Sequence, residues 1–300
     1  MDKLLVSIVT ITYNHESFIA KTIEGVLIQK LNFQIEFIIA EDCSTDNTRA
    51  ICQKYEKQYP QLIKLIISDN NVGPVANERR AMLMAKGKYI AFCEGDDYWT
   101  DPFKLQKQVD FLESHHDYSV CFHRYQHHYL ELDCFKVDNC DYLFKKIDTA
   151  GVDITIDMFF DNWITQPLTM VYRQTAFNIY TPLQYKYYRD MHQIYHLLKS
   201  GKGYLFAFVG GVREIHREGM HSMTSMTYQC EIAFKIANEL FEKNKTIEVR
   251  KYYEDTMQWC IYEYCGGSKN KYKALIMTFK LFFIQYNLRK FAANIKRLIR

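Results

Sequence analysis

Short apolar runs alternate with amphipathic stretches along the first hundred residues. Runs rich in β-branched or aromatic residues predict buried strands at 4–10, 35–40, 62–67 and 89–93. Between the first two, apolar residues recur at helical spacing from Phe18 to Leu27. Strands joined by single helices favour parallel pairing with right-handed crossovers. The pattern therefore predicts an open α/β sheet.

The pattern is less regular after residue 100. Helical spacing returns over 102–112 and around 188–199, and residues 125–153 show no clear period. Strand-like runs occur at 118–122, 168–172 and 204–209. From about residue 226 the spacing is helical to the end. We therefore expect two halves of one α/β domain, at 1–100 and 101–225, and a helical extension at 226–300.

Composition is typical of a globular protein. Hydrophobic residues make up 48% of the chain and charged residues 24%, which excludes disordered and low-complexity classes. A formal charge of +3 argues against a nucleic-acid partner. The nine cysteines include no Cys-x-x-Cys pair, so we expect reduced thiols. Neither a signal peptide nor a spanning apolar run is recognisable. These features predict a cytoplasmic protein.

Acidic residues follow two of the predicted strands. Asp42 comes after the second strand, and Asp96 and Asp97 come after the fourth. Ligands of open parallel sheets bind at the carboxyl ends of the strands. Capping of a turn explains a single carboxylate such as Asp42. A solvated turn is the alternative for the adjacent pair Asp96 and Asp97. A bound divalent cation would offset the repulsion between two neighbouring carboxylates, which favours a cation site.

Phosphate-binding glycine loops are absent from the sequence. The turn after the first strand, at 12–16, contains no glycine, and there is no P-loop motif. A metal ion would then neutralise any bound phosphate. Mg²⁺ commonly takes one or two carboxylates together with phosphate oxygens. The residues therefore predict a nucleoside diphosphate held through a divalent cation, Mn²⁺ or Mg²⁺.

Three segments of the first hundred residues resemble family 2 glycosyltransferases of the GT-A fold. They are Val-Ser-Ile-Val-Thr-Ile-Thr-Tyr-Asn at 6–14, Glu-Asp-Cys-Ser-Thr-Asp-Asn-Thr at 41–48, and the stretch 87–99 around Glu-Gly-Asp-Asp. Their order and spacing match the family over residues 1–115, more weakly up to 225, and not beyond. The resemblance implies a Rossmann-like open mixed sheet flanked by helices, here with a C-terminal helical extension.

The resemblance also implies an activity. Family members transfer a sugar with inversion from a nucleotide diphosphate donor, usually UDP-linked, to an acceptor hydroxyl. The matching positions make Thr12 and Tyr13 base contacts and Asp42 a hydrogen-bond partner of the base. Asp96 matches a residue near the ribose and the metal, and Asp97 matches the metal-binding carboxylate.

Four further residues carry additional expectations. Glu94 stands where many members have Asp, which puts the ribose and metal contacts of this triplet in doubt. Arg79 or Arg80 could reach the diphosphate, or both could lie on a solvated helix face. His216 could help to hold metal or diphosphate, as a histidine of the family does, or could be structural.

Inversion needs one general base and no enzyme nucleophile. Asp190 lies where the family places its catalytic carboxylate, at the start of a predicted helix, although a helix start also favours an acidic residue for its own sake. The rival carboxylates are Asp157, Asp161 and Glu214. Trp163 could form part of an acceptor wall or simply pack in the core.

The last 33 residues carry nine basic residues, and no acidic residue follows Glu263. Apolar and basic residues mixed in this way favour a helix on an anionic membrane surface. A helix packed on the domain and a partner-binding helix are the alternatives. Membrane binding would place the protein peripherally on the inner face of the cell membrane and would suit a lipid-linked glycan acceptor.

The sequence thus predicts a metal-dependent hexosyl- or N-acetylhexosaminyltransferase in surface polysaccharide or glycan synthesis. A non-catalytic nucleotide-sugar-binding or scaffold protein on the same fold is the alternative from another class, although it would not need Asp190. A nucleotidyltransferase would need a glycine-rich first loop, which the sequence lacks.

Overall fold

The computed structural model describes residues 4–144, 150–162, 164–216, 225–266 and 270–299. These residues form two compact units. One unit comprises 4–184 and 189–216, and the other comprises 185–188 and 225–299. Trp163, a possible acceptor-wall residue, lies outside the described residues.

Strands and helices alternate through the first unit. Its described strands are β1 (Leu4–Thr12), β2 (Gln34–Glu41), β3 (Ile63–Ile67), β4 (Tyr89–Phe92), β5 (Tyr98–Trp99), β6 (Tyr118–Tyr129), β7 (Cys134–Val137), β8 (Gly151–Ile154), β9 (Val171–Arg173) and β10 (Lys202–Ile215). Its described helices are α1 (Ile19–Leu27), α2 (Thr48–Gln58), α3 (Pro74–Met84), α4 (Lys104–Ser114), α5 (Asp141–Phe144), α6 (Ile156–Asp161) and α7 (Asp190–Ser200). Short 3₁₀ helices lie at Leu130–Leu132, Pro167–Thr169, Gln174–Ala176 and Thr181–Gln184.

The strands form one mixed sheet. Its order is β3-β2-β1-β4-β9-β6-β10-β5, with β7 beside β6 and β8 beside β10. The first four strands pair in parallel, as do β6 and β10, whereas β9 runs antiparallel between β4 and β6. β1 has β2 as its neighbour on one side and β4 on the other, so the order in which the strands are added reverses direction at β1. That reversal makes a crevice at the carboxyl ends of β1 and β4, where ligands of open α/β sheets bind.

Helices cover the sheet, which explains the continuous apolar character of its first strands. Val6, Ile8 and Val9 of β1 are fully buried, as are Ile19 and Ile23 of α1. In a strand buried on both faces, the sequence does not alternate between apolar and polar residues. The predicted α/β sheet and its parallel half are confirmed, and each of the first four strands begins and ends within two residues of its prediction.

Two strands are longer than the sequence suggested. β6 continues past residue 122 to Tyr129, and β10 extends past residue 209 to Ile215. Polar side chains interrupt the apolar pattern there, and some of them have buried partners from elsewhere in the chain: Arg124 pairs with Asp138 at 2.9 Å. The strand predicted at 168–172 was too long, because a 3₁₀ turn beginning at Pro167 precedes the short β9.

The described part of the second unit is helical, as predicted for the chain after residue 225. Its helices are α8 (Met226–Lys243), α9 (Ile247–Gly266), α10 (Lys271–Gln285) and α11 (Leu288–Ile299). A small core joins them, formed by residues such as Cys230, Met257, Cys260, Met277 and Leu281. Within the described ranges, no helix is both long enough and apolar enough to cross a bilayer.

Candidate functional site

The loops that follow β1 and β2 hold each other in place. Oδ1 of Asn14 accepts a hydrogen bond of 2.8 Å from the backbone N–H of Thr45, and the Asn14 N–H donates to Oγ of Ser44 at 3.0 Å. Asn14 and Cys43 both adopt the left-handed conformation, with φ of 55° and 62°. Such backbone is costly for residues other than glycine and is found where a site requires it. The locked loops present Tyr13, 39% exposed, at the sheet edge beside buried Thr12.

Asp42 is buried at the end of β2 and already has partners. Its two carboxylate oxygens accept 2.9 Å hydrogen bonds from the backbone N–H groups of Val72 and Gly73. Gly73 has a φ of 82°, which glycine adopts without penalty. Asp42 therefore positions the loop that leads into α3, and its contact with a base stays a prediction.

Arg80 lies on α3 and is also engaged. Its guanidinium donates to the carbonyl of Ile67 at 2.8 Å and to Oδ1 of Asn77 at 3.1 Å. Its neighbour Arg79 lies over the ring of Tyr180, with 5.3 Å between guanidinium carbon and ring centroid. The structure thus gives both arginines protein contacts, and a diphosphate contact stays a prediction.

The turn between β4 and β5 carries the acidic motif and is packed tightly. The Gly95 N–H donates to the carbonyl of Ile11 at 3.0 Å, and Oγ1 of Thr22 donates to the carbonyls of Gly95 and Asp97 at 3.0 and 2.7 Å. A Cβ atom on Gly95 would come within 2.6 Å of Oγ1 of Thr12. Only glycine fits at this position, so both the hydrogen bonds of the turn and the close approach of Thr12 to Gly95 fix its conformation.

Both aspartates of this turn contact residues from elsewhere in the sheet. Oδ1 of buried Asp97 accepts a 3.1 Å hydrogen bond from the backbone N–H of Glu214. Oδ2 of Asp96 lies 3.3 Å from Nε2 of His216 and 3.9 Å from Nε2 of His15. The end of β10 therefore meets the turn that follows β4, and His216 lies beside Asp96; its role in holding metal or diphosphate stays a prediction.

Like charges dominate the electrostatics of the turn. Burial, followed by the charges of Asp96 and Glu94, holds the pKa of Asp97 well above its ordinary range. Burial also raises the pKa of Glu94 to about 8, with Asp96 and Asp190 adding to the effect. Burial acts on Asp96 in the same sense, but the hydrogen bond from His216 and the charge of His15 outweigh it and lower its pKa. The cluster favours an added positive charge.

Asp190 is the first residue of α7 and lies near these carboxyls. It is half-buried, and its Oδ1 accepts a 2.9 Å hydrogen bond from the N–H of Met191. Its charge contributes to the raised pKa of Glu94 and to that of Glu78, which burial chiefly raises to about 7. Asp190 therefore shares its surroundings with the acidic turn.

The rival base candidates have different surroundings. Asp157 and Asp161 are exposed on α6. The carboxylate of Glu214 is buried and contacts Nδ1 of His128 at 2.7 Å and Nζ of Lys21 at 3.5 Å. These contacts give Glu214 a structural role at the end of β10.

Sequence reasoning missed several members of this cluster. Glu78 and His15 were not among the predicted site residues. Nor was His128, which pairs with Glu214, 86 residues away. Only the parallel pairing of β6 with β10 brings those two together. The one available signal was that His128 and Glu214 are polar residues within otherwise apolar strands.

The acidic turn has the donor chemistry of a divalent-cation site, since Asp96 and Asp97 offer oxygen ligands and their mutual repulsion favours a cation. Across the described residues, no three His, Cys, Asp or Glu side chains are arranged to hold a metal ion by themselves. A cation bound here would therefore take further ligands from the nucleotide, as Mg²⁺ commonly does.

Sequence comparisons find relatives that match about two fifths of the chain. The chain is 48% identical over 117 residues to the uncharacterized protein Rv1520 of Mycobacterium tuberculosis, covering 39% of this chain and 34% of that protein. It is 36% identical over 131 residues to an Escherichia coli protein, the UDP-Glc:alpha-D-GlcNAc-diphosphoundecaprenol beta-1,3-glucosyltransferase WfaP, covering 43% of this chain and 48% of WfaP. The match thus spans a third to a half of the length of these relatives.

Solved structures share the fold at low sequence identity. S. aureus TarS 1-349 in complex with UDP-GlcNAc superposes with a TM-score of 0.68 at 16% identity, covering 94% of this chain and 81% of that one. The mannosyltransferase PcManGT from Pyrobaculum calidifontis, in complex with GDP-Man and Mn²⁺, gives a TM-score of 0.57 at 14% identity, covering 97% and 78%. These likenesses confirm the GT-A fold.

A family model decides the classification. The model described as Glycosyl transferase family 2 matches residues 7–189, which is more than half of the chain. The match includes the second and third motifs and all but the first residue of the first motif. The expected resemblance is therefore confirmed, and the chain belongs to glycosyl transferase family 2.

Proposed function

We propose that this protein is an inverting glycosyltransferase that moves a hexosyl or N-acetylhexosaminyl group from a UDP-linked donor to an acceptor hydroxyl. Residues 1–100 form its nucleotide-sugar-binding half and 101–225 its acceptor-binding half, while 226–300 form the helical extension. The acceptor is a glycan of surface polysaccharide synthesis, carried on a lipid.

One observation carries this proposal. Glu94 is influenced by both Asp96 and Asp190, since the charges of both add to burial in raising its pKa to about 8. The carboxylate proposed as base is therefore near enough to the acidic turn for its charge to act on Glu94. A protein that only binds nucleotide sugars needs the acidic turn but has no use for the base.

The donor side uses residues at the ends of β1, β2 and β4. Thr12 and Tyr13 contact the base and Asp42 accepts a hydrogen bond from it, while Asp96 lies towards the ribose and Arg80 towards the diphosphate. Asp97 and Asp96, with His216 beside Asp96, hold Mn²⁺ or Mg²⁺, which when bound neutralises negative charge on the leaving diphosphate.

The acceptor side centres on Asp190. Its carboxylate takes the proton of the acceptor hydroxyl while that oxygen attacks the anomeric carbon of the donor. The bond between the anomeric carbon and the phosphate oxygen breaks on the opposite face, so UDP leaves and the configuration inverts. The protein supplies position and charge, and no covalent intermediate with the enzyme is needed.

Relatives support the choice of substrates. The E. coli relative is named for a UDP-Glc donor and a diphosphoundecaprenol-linked acceptor, and TarS was solved with UDP-GlcNAc. A lipid-linked acceptor would place the protein in the cytoplasm, peripherally on the inner face of the cell membrane, with the basic C-terminal segment on the anionic lipid surface.

A panel of nucleotide sugars tests the function. The wild-type protein is incubated with UDP- and GDP-linked sugars, with Mn²⁺, with Mg²⁺ or with excess chelator, and nucleotide release is measured. We expect hydrolysis of a UDP-sugar that depends on the cation. UDP binding without release from any donor, with or without lipid-linked acceptor, would favour the non-catalytic binding protein instead.

A further inference from the structure

The outer face of α10 is apolar along its whole length. Six side chains on it are between 37% and 76% exposed: Tyr272, Leu275, Ile276, Phe279, Phe283 and Tyr286. Apart from the neighbours Leu275 and Ile276 they are three or four residues apart, which places the five on α10 on one side of the helix, and Tyr286 follows its last residue directly. We call this set the α10 stripe. A continuous row of exposed apolar side chains is uncommon on protein surfaces and usually indicates an interaction site.

The α10 stripe is not the packing face of its helix. The opposite side of α10, including Ala274, Met277 and Leu281, is buried in the small core that Met257 and Cys260 of α9 also form. The need to cover the core is therefore met without the stripe. A helix that is simply packed on its own unit explains the buried side and leaves the exposed apolar side unexplained.

Unpaired cations lie beside the stripe. Phe291 of α11 contacts Phe279 and Phe282 of α10, with ring centroids 5.2 and 4.8 Å apart, so α11 flanks the stripe. Six exposed cations on these two helices have no ion pair among the described residues. Lys280 and Arg297 lie over aromatic rings, and the other four are Lys271, Arg289, Lys290 and Lys296. The chain carries no acidic residue after Glu263 to balance them.

We propose that the α10 stripe and these four cations form one binding surface for anionic phospholipid. The apolar side chains enter the headgroup region with α10 parallel to the membrane, and the cations pair with lipid phosphates. A second copy of the chain fits this surface less well, since pairing two such faces would bring like charges together. The inference deepens the proposed membrane location and rests on it, but it does not depend on sugar transfer.

Vesicle flotation of the full-length protein tests the surface. Vesicles of phosphatidylcholine, with or without about 30% phosphatidylglycerol, supply a neutral and an anionic membrane. We expect the protein to float with the anionic vesicles and to bind them at least about tenfold more weakly at high salt, because screening weakens cation–phosphate attraction. Equal binding to neutral and anionic vesicles would overturn the proposal.

Paired variants separate the apolar contribution from the charge. Ile276→Ser with Phe283→Ser is expected to weaken binding about tenfold or more, through lost apolar burial. Its control is Leu132→Ser with Leu183→Ser, which are 73% and 62% exposed in the first unit. Lys290→Gln with Lys296→Gln is expected to weaken binding about tenfold or more, since each cation near the surface adds to the attraction to anionic lipid. Its control is Lys54→Gln with Lys57→Gln, both exposed on α2.

All four variants are first shown to unfold at the wild-type temperature and to bind UDP as the wild type does, so that lost vesicle binding is separate from a lost donor site. Wild-type binding by both α10–α11 variants would overturn the proposal. So would a wild-type protein that stays free of vesicles and forms a dimer which Ile276→Ser with Phe283→Ser dissociates, because the stripe would then join two copies of the chain.

Discussion

Oδ1 of Asp97 accepts a 3.1 Å hydrogen bond from the backbone N–H of Glu214, 117 residues further along the chain. Two residues beyond Glu214, His216 contacts Asp96 at 3.3 Å. The two aspartates of one turn are therefore both attached to the end of β10. This attachment joins the proposed cation site to the part of the sheet that precedes the second unit in sequence.

Asp97→Asn separates this attachment from the proposed cation binding. Asparagine keeps an oxygen that can accept the hydrogen bond from the Glu214 N–H. It also removes a carboxylate that burial already makes harder to ionise. The free energy of unfolding at neutral pH is expected to be within about 1 kcal/mol of wild type, or higher. The gain in UDP affinity that Mn²⁺ provides is expected to fall about tenfold or more. Denaturant unfolding and calorimetry with and without Mn²⁺ measure both.

The control for that experiment is Asp117→Asn, which removes a surface carboxylate paired with Lys202. It should leave the effect of Mn²⁺ unchanged. A wild-type response to Mn²⁺ in Asp97→Asn would remove Asp97 from the cation site.

Gly95→Ala tests how tightly the acidic turn is packed. The added Cβ would lie 2.6 Å from Oγ1 of Thr12 and 2.7 Å from Nδ1 of His15, so these side chains or the turn must move. Overpacking of this kind costs about 1–3 kcal/mol. We expect a lower free energy of unfolding and weaker UDP binding. Gly266→Ala, where a Cβ meets nothing within 4 Å, should change neither; equal behaviour of the two variants would contradict the packing.

Much of the fold could be predicted from the sequence because β1, β2 and β4 are largely buried on both faces. Residues 4–10 are mostly apolar and contain only the small polar residues Ser7 and Thr10, and β1 contains this run. The extents of β6 and β10 could not be predicted, since they contain polar residues such as Arg124 and His128 whose partners lie in distant strands. Strand pairing decides such contacts, and one sequence does not reveal it.

The candidate site divides in the same way. Asp42, Asp96 and Asp97 could be singled out because parallel strands bring their carboxyl ends to one edge. Glu78 could not, since a glutamate on α3 looks like any solvated helix residue. Its raised pKa arises from burial and from Asp190, 112 positions later in the chain, and no local pattern encodes that proximity.

Lys104 gives the stability of the protein a distinct pH dependence. It is fully buried, its Nζ lies 3.7 Å from the ring centroid of Trp99, and this Nζ has no hydrogen-bond partner among the residues that the structure describes. Burial lowers its pKa to about 7, against an ordinary 10.5. Between these values the unfolded chain binds the proton and the folded one does not, so this group makes the free energy of unfolding rise with pH.

Lys104→Met should therefore flatten that rise and stabilise the protein at neutral pH, because an unpaired buried amine is replaced by an apolar side chain. Denaturant unfolding at a series of pH values from 7 upwards measures the slope. Lys57→Met, at an exposed position of α2, should keep the wild-type slope. An unchanged slope in Lys104→Met would show that Lys104 does not titrate in this window.

Asp190→Asn tests the central claim most directly. Asparagine can keep the hydrogen bond from the Met191 N–H but cannot take a proton from the acceptor. The measurement is the rate of sugar transfer from the UDP-sugar that the wild type uses, together with the Kd for UDP. We predict a rate at least about 100-fold lower, with UDP binding unchanged. Transfer at the wild-type rate by Asp190→Asn would contradict the account.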